Sequence, residues 1–296
     1  MVAYVVEALD DVSLDCGDPL KAMDWMSPYV WRDGDLLRIM VRGVPDPLGP
    51  TDPTGIIWSG TSTDGLGFTM TAAPVIDPGP EPVSAGGVED PTVVPTAQGL
   101  TVFYTGVDAR RQQGSMLVAS GPDLAHLTEH SVMLKAPEGE GNIKEATLAQ
   151  APDGSWRLFY EYARYDASRI GLARSPDLTG EWQPIDDLFT VREDGWDNWH
   201  LSTGPIVQLP GHDPVMFYNG ATIDARWRIG WVSFDPGYTR VTGRGLEPIL
   251  MPPPARDRAA TDIAFAASAL IVDGRIHLYY SLEDRRLARA IIRLYE

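Results

Sequence analysis

Paired aromatic residues recur along this chain at a nearly constant interval. The pairs are Phe103-Tyr104, Phe159-Tyr160, Phe217-Tyr218 and Tyr279-Tyr280, their second members 56, 58 and 62 residues apart, and Met40-Val41 fills the same slot at the front. Self-similarity at a fixed period is the mark of a repeat architecture. Each unit reads as a short β-run, a turn, the apolar strand, a polar loop, a third strand and a variable tail. Asp33-Gly34, Asp153-Gly154 and Asp273-Gly274 supply turns of the kind tight hairpins prefer. The third strand is clearest over 170–178, with weaker echoes at 116–124 and 229–233. Twenty-nine glycines and 25 prolines break the sequence into pieces too short for long helical stripes.

Repeated units of three to four strands predict an all-β fold, a five-bladed β-propeller in which radial repetition leaves few exposed edges. At 296 residues the chain is long enough to be one large all-β domain. The expected blades are 20–75, 86–135, 142–190, 200–250 and 260–296, with 1–9 adding a strand that closes the ring; the proline-rich stretches 74–84 and 251–258 are extended connections between blades.

The formal charge of −17 would repel a phosphate backbone, so nucleic acid is not an expected partner. No apolar run approaches the roughly 20 residues of a spanning helix, so no membrane partner is expected either. The N-terminus lacks the basic flank and small-residue cleavage site of a signal peptide, and the expected location is the cytoplasm. The single cysteine, Cys16, rules out an internal disulfide, and the five histidines show no metal-ligand spacing. No glycine-rich fingerprint follows a strand and opens a helix, so no nucleotide or flavin cofactor is expected.

In a propeller the first strand of each blade lies nearest the axis, so side chains at its start converge. The residues 14 or 15 positions before each pair's second member are Met26 or Ser27, Asp90, Glu145, Thr203 and Phe265. Two are carboxylates, and carboxylates aimed at one axis imply a shared site with perturbed pKa values. Two carboxyl groups across a cleft are what glycoside cleavage needs: one protonated to assist the leaving group, one ionised to activate water or attack. The charged rim adds Glu89, Lys144, Glu161 and Asp262, with Arg42 nearby. Each also has a plain structural role open to it: Glu89 and Lys144 would pair, Asp262 would cap a turn, and Asp90-Pro91 would make a loop turn. Trp25, Tyr104, Tyr160, His200 and Asn219 are candidate sugar contacts, although Tyr104 equally suits core packing.

These residues resemble the β-mannoside phosphorylases and β-1,2-mannosidases of glycoside hydrolase family 130, which are five-bladed propellers. The likeness lies in Gly87-Val88-Glu89-Asp90-Pro91, Asn142-Ile143-Lys144-Glu145-Ala146, the segment 170–182, Thr203-Gly204-Pro205-Ile206 and the segment 278–284. It implies that Asp90 is the general acid of an inverting reaction and that Asp284 binds the sugar. It also implies cationic phosphate ligands that this chain lacks. Thr92 follows Glu-Asp-Pro in place of an arginine, His200 takes a basic position, and Asn219 stands where a histidine follows the tyrosine strand. Phosphate needs cationic or strongly donating partners, so the expected reaction is hydrolysis, with Glu145 or, second, Glu161 as the base.

Three alternatives remain at this level. One is a β-mannoside phosphorylase. Another resembles the arabinanase and xylosidase propellers, which place an Asp on each of the first two blades and a Glu on the third; it requires Asp24 to face the channel. The last is a propeller that binds carbohydrate without catalysis, with Asp90 and Glu145 tied up in salt bridges to Lys144 or Arg42.

Overall fold

The computed structural model describes residues 3–79, 82–136, 140–254 and 262–295. The fold is an all-β propeller. Strand β1 (Ala3–Asp15) precedes a first group made of β2 (Met23–Asp33), β3 (Leu36–Pro45), β4 (Ile56–Ser62) and β5 (Gly67–Met70). The second group is β6 (Gly87–Thr96), β7 (Gly99–Val107), β8 (Gly114–Gly121) and β9 (Thr128–Leu134), and the third is β10 (Gly141–Gln150), β11 (Trp156–Arg164), β12 (Ala167–Ser175) and β13 (Gln183–Ile185). The fourth is divided into two small sheets. One holds β14 (His200–Ser202), β17 (Asn219–Ala221) and β18 (Arg228–Ile229); the other holds β15 (Ile206–Val207), β16 (Val215–Met216), β19 (Val232–Phe234) and β20 (Val241–Arg244). The last group is β21 (Ala264–Val272), β22 (Arg275–Leu282) and β23 (Arg286–Tyr295), completed by β1. Among the described residues the only helical segments are two short 3₁₀ turns, Asp18–Ala22 and Leu124–His126, and no helix is long and apolar enough to cross a membrane.

The paired aromatics explain how the groups pack. Neighbours on a strand point to opposite faces, and here both faces are buried. Phe103 enters the core shared by the second and third groups while Tyr104 enters the one shared by the first and second. Phe159 and Tyr160 divide in the same sense between the third–fourth and second–third cores. Phe217 and Tyr218 follow suit, then Tyr279 and Tyr280. Met40 and Val41 close the series, Val41 sharing its core with Tyr279 of the last group. Among the described residues five hydrophobic cores therefore separate five strand groups, and we count each group as one blade.

Closure depends on β1. It pairs antiparallel with β23 over most of its length, then parallel with β5 through Ser13, Leu14 and Asp15. The closing strand is thus Ala3–Asp15, longer than the 1–9 segment expected from sequence, and it bridges the last blade to the first.

Candidate active site

The inner strands share one irregularity. In β2 the register with β3 shifts between Met26 and Tyr29, in β6 the register with β7 shifts between Glu89 and Thr92, and in β10 that with β11 shifts between Lys144 and Thr147. These are β-bulges, each inserting one residue and bending the strand. Ser27, Asp90 and Glu145 sit in them with φ of 52° each, in the left-handed region that non-glycine residues rarely enter. Consecutive residues on a flat strand face opposite ways, but the bulge lets both reach the same place. Met26 with Ser27, Glu89 with Asp90 and Lys144 with Glu145 all line one cavity of about 470 Å³.

In the last blade the bulge falls between Ala266 and Ser268, and Phe265 lies opposite Ser281 much as Glu89 lies opposite Thr105. Phe265 therefore corresponds to Glu89, and Ala266 to Asp90, one position away from the alignment that spacing alone suggests. The second strands contribute the residue after each paired aromatic: Arg42, Glu161 and Ser281 line the cavity, and Thr105 donates to Asp90 Oδ2 at 3.4 Å.

The charges form a connected network. Glu89 is buried, accepting from Arg42 Nη2 at 2.8 Å and Lys144 Nζ at 3.0 Å. Burial opposes its charge, but Arg42 and Lys144 outweigh that cost and its pKa falls. Asp90, also buried, accepts from Ser27 Oγ at 2.8 Å and lies 3.7 Å from Arg42. Its pKa rises through burial and the adjacent Glu89 charge, with Arg42, Lys144 and the Ser27 hydroxyl pulling the other way. Glu161 accepts from Ser168 Oγ at 2.9 Å, and burial raises its pKa. Glu145 receives no side-chain hydrogen bond or ion pair from the described residues, and burial beside Asp90 and Glu161 lifts its pKa well above the usual carboxylate range. Asp284, with φ of 51°, also lines the cavity and is raised by burial.

Of the residues singled out from sequence, Arg42, Glu89, Asp90, Lys144, Glu145, Glu161 and Asp284 come together in this cavity. Trp25, Tyr104 and Tyr160 are instead packed in the cores. Asn219 is fully buried, its amide donating to the Thr203 and Ala266 carbonyls and accepting from the Ala266 N–H. Asp262 pairs with Arg226 at 2.7 Å away from the cavity lining. His200 is not a lining residue; its ring lies 5.4 Å from that of Trp227, which does line the cavity. Asp24 lies 3.7 Å from Arg285 and is not a lining residue; the blade-one bulge presents Ser27, so the arabinanase-like arrangement lacks its first carboxylate. Sequence spacing missed Trp227, Arg111, Ser281 and Thr105. For the last two the signal is in the sequence: each directly follows a paired aromatic. Among the described residues no cluster of His, Cys, Asp and Glu could hold a metal ion.

No protein-family profile matches this chain, and no curated protein sequence does either. Its fold matches solved structures throughout. The β-1,2-mannobiose phosphorylase of Listeria innocua, bound to β-1,2-mannobiose, superposes with a TM-score of 0.76 at 18% identity, covering 97% of this chain and 91% of that one. MPT-4, a mannose phosphorylase from Leishmania mexicana in complex with a phosphate ion, gives 0.70 at 15%, covering 97% and 88%. A structure from the family 130 mannoside phosphorylases, a family containing glycoside hydrolases that target β-1,2 mannosidic linkages in Candida mannan, gives 0.76 at 21%, covering 91% and 84%. The chain shares the propeller fold of these glycoside-active enzymes.

Proposed function

We propose that this chain is a glycoside hydrolase that cleaves a β-mannoside or a related glycoside with inversion. Asp90 acts as general acid, and Glu145 or Glu161 as the base that activates water. One observation supports the choice of water over phosphate: among the described residues five carboxyl groups line the cavity against three cationic side chains, and each of those cations is already engaged. Arg42 and Lys144 hold Glu89, while Arg111 donates to the carbonyls of Gly49 and Asp52. A phosphate dianion entering there would meet net negative charge. The positions that would carry phosphate ligands by family resemblance serve the framework here: Thr92 donates to the Ala146 carbonyl at 2.6 Å and Asn219 bridges two blades.

The binding-only alternative requires Asp90 and Glu145 to be neutralised by salt bridges. Arg42 does lie 3.7 Å from Asp90, but its shorter contact, like that of Lys144, is to Glu89, and Glu145 pairs with neither. A second catalytic reading is favoured by that same lack of donors: the proton rests on Glu145, and Asp90, held by Ser27 and Arg42, stays ionised. Inverting enzymes hold their carboxyl groups roughly 6.5–9.5 Å apart, with room for the attacking water.

Aryl glycosides and manno-oligosaccharides, assayed with and without phosphate, test the proposal. Sugar release independent of phosphate is expected, falling roughly 10²–10⁴-fold in Asp90→Asn. With a dinitrophenyl leaving group, which needs no proton, the deficit of Asp90→Asn should shrink while that of a base variant persists. Shrinkage in Glu145→Gln instead would select the second reading. Release of a sugar phosphate would overturn the hydrolase assignment.

A further inference from the structure

The cavity is lined unevenly. The carboxylates and their cations come from blades one to three, with Ser281 and Asp284 from blade five, and apolar side chains occur on both sides, but the aromatic ones of the described lining, Trp227 and Phe265, stand together with Ile263 where blades four and five meet. We infer that Trp227, with Phe265 beside it, is a stacking wall for a pyranose ring and sets which sugars the site accepts. The inference rests on the glycosidase reading above.

Trp227 is only partly buried and belongs to none of the five cores, yet it is held from several sides. Its backbone N–H donates to the Asp262 carbonyl at 3.0 Å and its carbonyl accepts from Ala264 N–H at 3.2 Å, a bridge that joins the two blades. Phe265 meets the indole edge-on at 5.2 Å between centroids, and His200 lies tilted against it at 5.4 Å. The His200 ring is itself fixed, because Nδ1 accepts from the Ser168 N–H at 3.1 Å. Ser168 then donates its hydroxyl to Glu161, so one short connection positions both the wall and a candidate base.

A braced, partly exposed indole facing a cavity full of carboxylates offers a ligand what the rest of the lining does not. A β-mannoside or β-glucoside carries axial C–H groups at C1, C3 and C5 on one face, the axial 2-hydroxyl of the mannoside lying on the other, and its remaining ring hydroxyls around the edge. Carboxylates and Arg42 suit the edge, and an aromatic plane suits the face. The wall would therefore favour β-mannosides or β-glucosides over sugars whose axial hydroxyl interrupts that face.

Calorimetry with a manno-oligosaccharide on Asp90→Asn, alone and combined with Trp227→Ala or Trp227→Phe, tests the wall separately from turnover. Trp227→Ala should weaken binding about tenfold or more, Trp227→Phe should recover most of it, and circular-dichroism melting of both should stay near the parent. Equal affinity in Trp227→Ala would overturn the wall while leaving the glycosidase reading standing. So would a drop in melting temperature that Phe does not repair, since that marks a structural role. A protein that neither binds nor cleaves any glycoside defeats both.

Discussion

Asp90 and Glu145 occupy equivalent backbone kinks, yet their surroundings differ, and the difference sets their acidity. Asp90 has hydroxyl donors and a guanidinium within reach, whereas Glu145 has the repulsion of Asp90 and Glu161. A carboxyl whose pKa is raised in the folded state favours folding fully below the usual glutamate range. That contribution is lost as pH climbs through the folded value. Glu145→Gln removes the penalty of the buried charge. It should therefore melt about 2 °C or more above the parent at pH 8, with the gap closing near pH 4. Thermal melting across pH checks this. If Glu145 is the base or the acid, the same substitution should abolish or severely impair turnover, a trade of function for stability, whereas retained turnover would assign the base to Glu161.

At the scale of elements, the bulges have a structural cost that hydroxyl side chains offset. Where inner strands of adjacent blades converge without a ladder between them, backbone groups need other partners. Thr92 donates to Ala146 O, Thr147 to Gly204 O, and Thr203 to Glu145 O. Ser268 donates to Pro28 O and accepts from the Val30 N–H, while Ser281 accepts from the Ser27 N–H. Asn219 completes the set between blades four and five. Replacing it with alanine would strand buried carbonyls and an N–H at about 1–3 kcal/mol each. Asn219→Ala should lose about 3 kcal/mol in denaturant unfolding while leaving the carboxylate cavity chemically intact; a change below 1 kcal/mol would contradict the bridging role.

For the whole molecule, closure is the decisive feature. β1 covers the edge of β23 and then meets β5, and Arg289 reaches from β23 to Asp10 on β1 at 2.8 Å. A protein lacking residues 1–15 would expose two strand edges, which invite intermolecular pairing. It should be recovered mainly as aggregate in size-exclusion chromatography. A monomeric, cooperatively melting truncated protein would show that the ring closes without its latch.

The repeat was legible because both faces of every blade are buried, which demands two large apolar neighbours on each second strand. That same double burial hid the roles of Tyr104 and Tyr160, since period-two alternation separates core from solvent and here both directions lead to core. Asp90 and Glu145 could be placed on one rim from spacing. The bulges could not, because one inserted residue leaves no mark in composition, and they decide that Glu89 and Asp90 face the cavity together. The sequence by itself thus determined the all-β repeat and a carboxylate-rich centre. Only the tertiary structure decided how the charges pair, which carboxyl lacks donors and where Trp227 stands, because those depend on contacts between residues far apart in the chain.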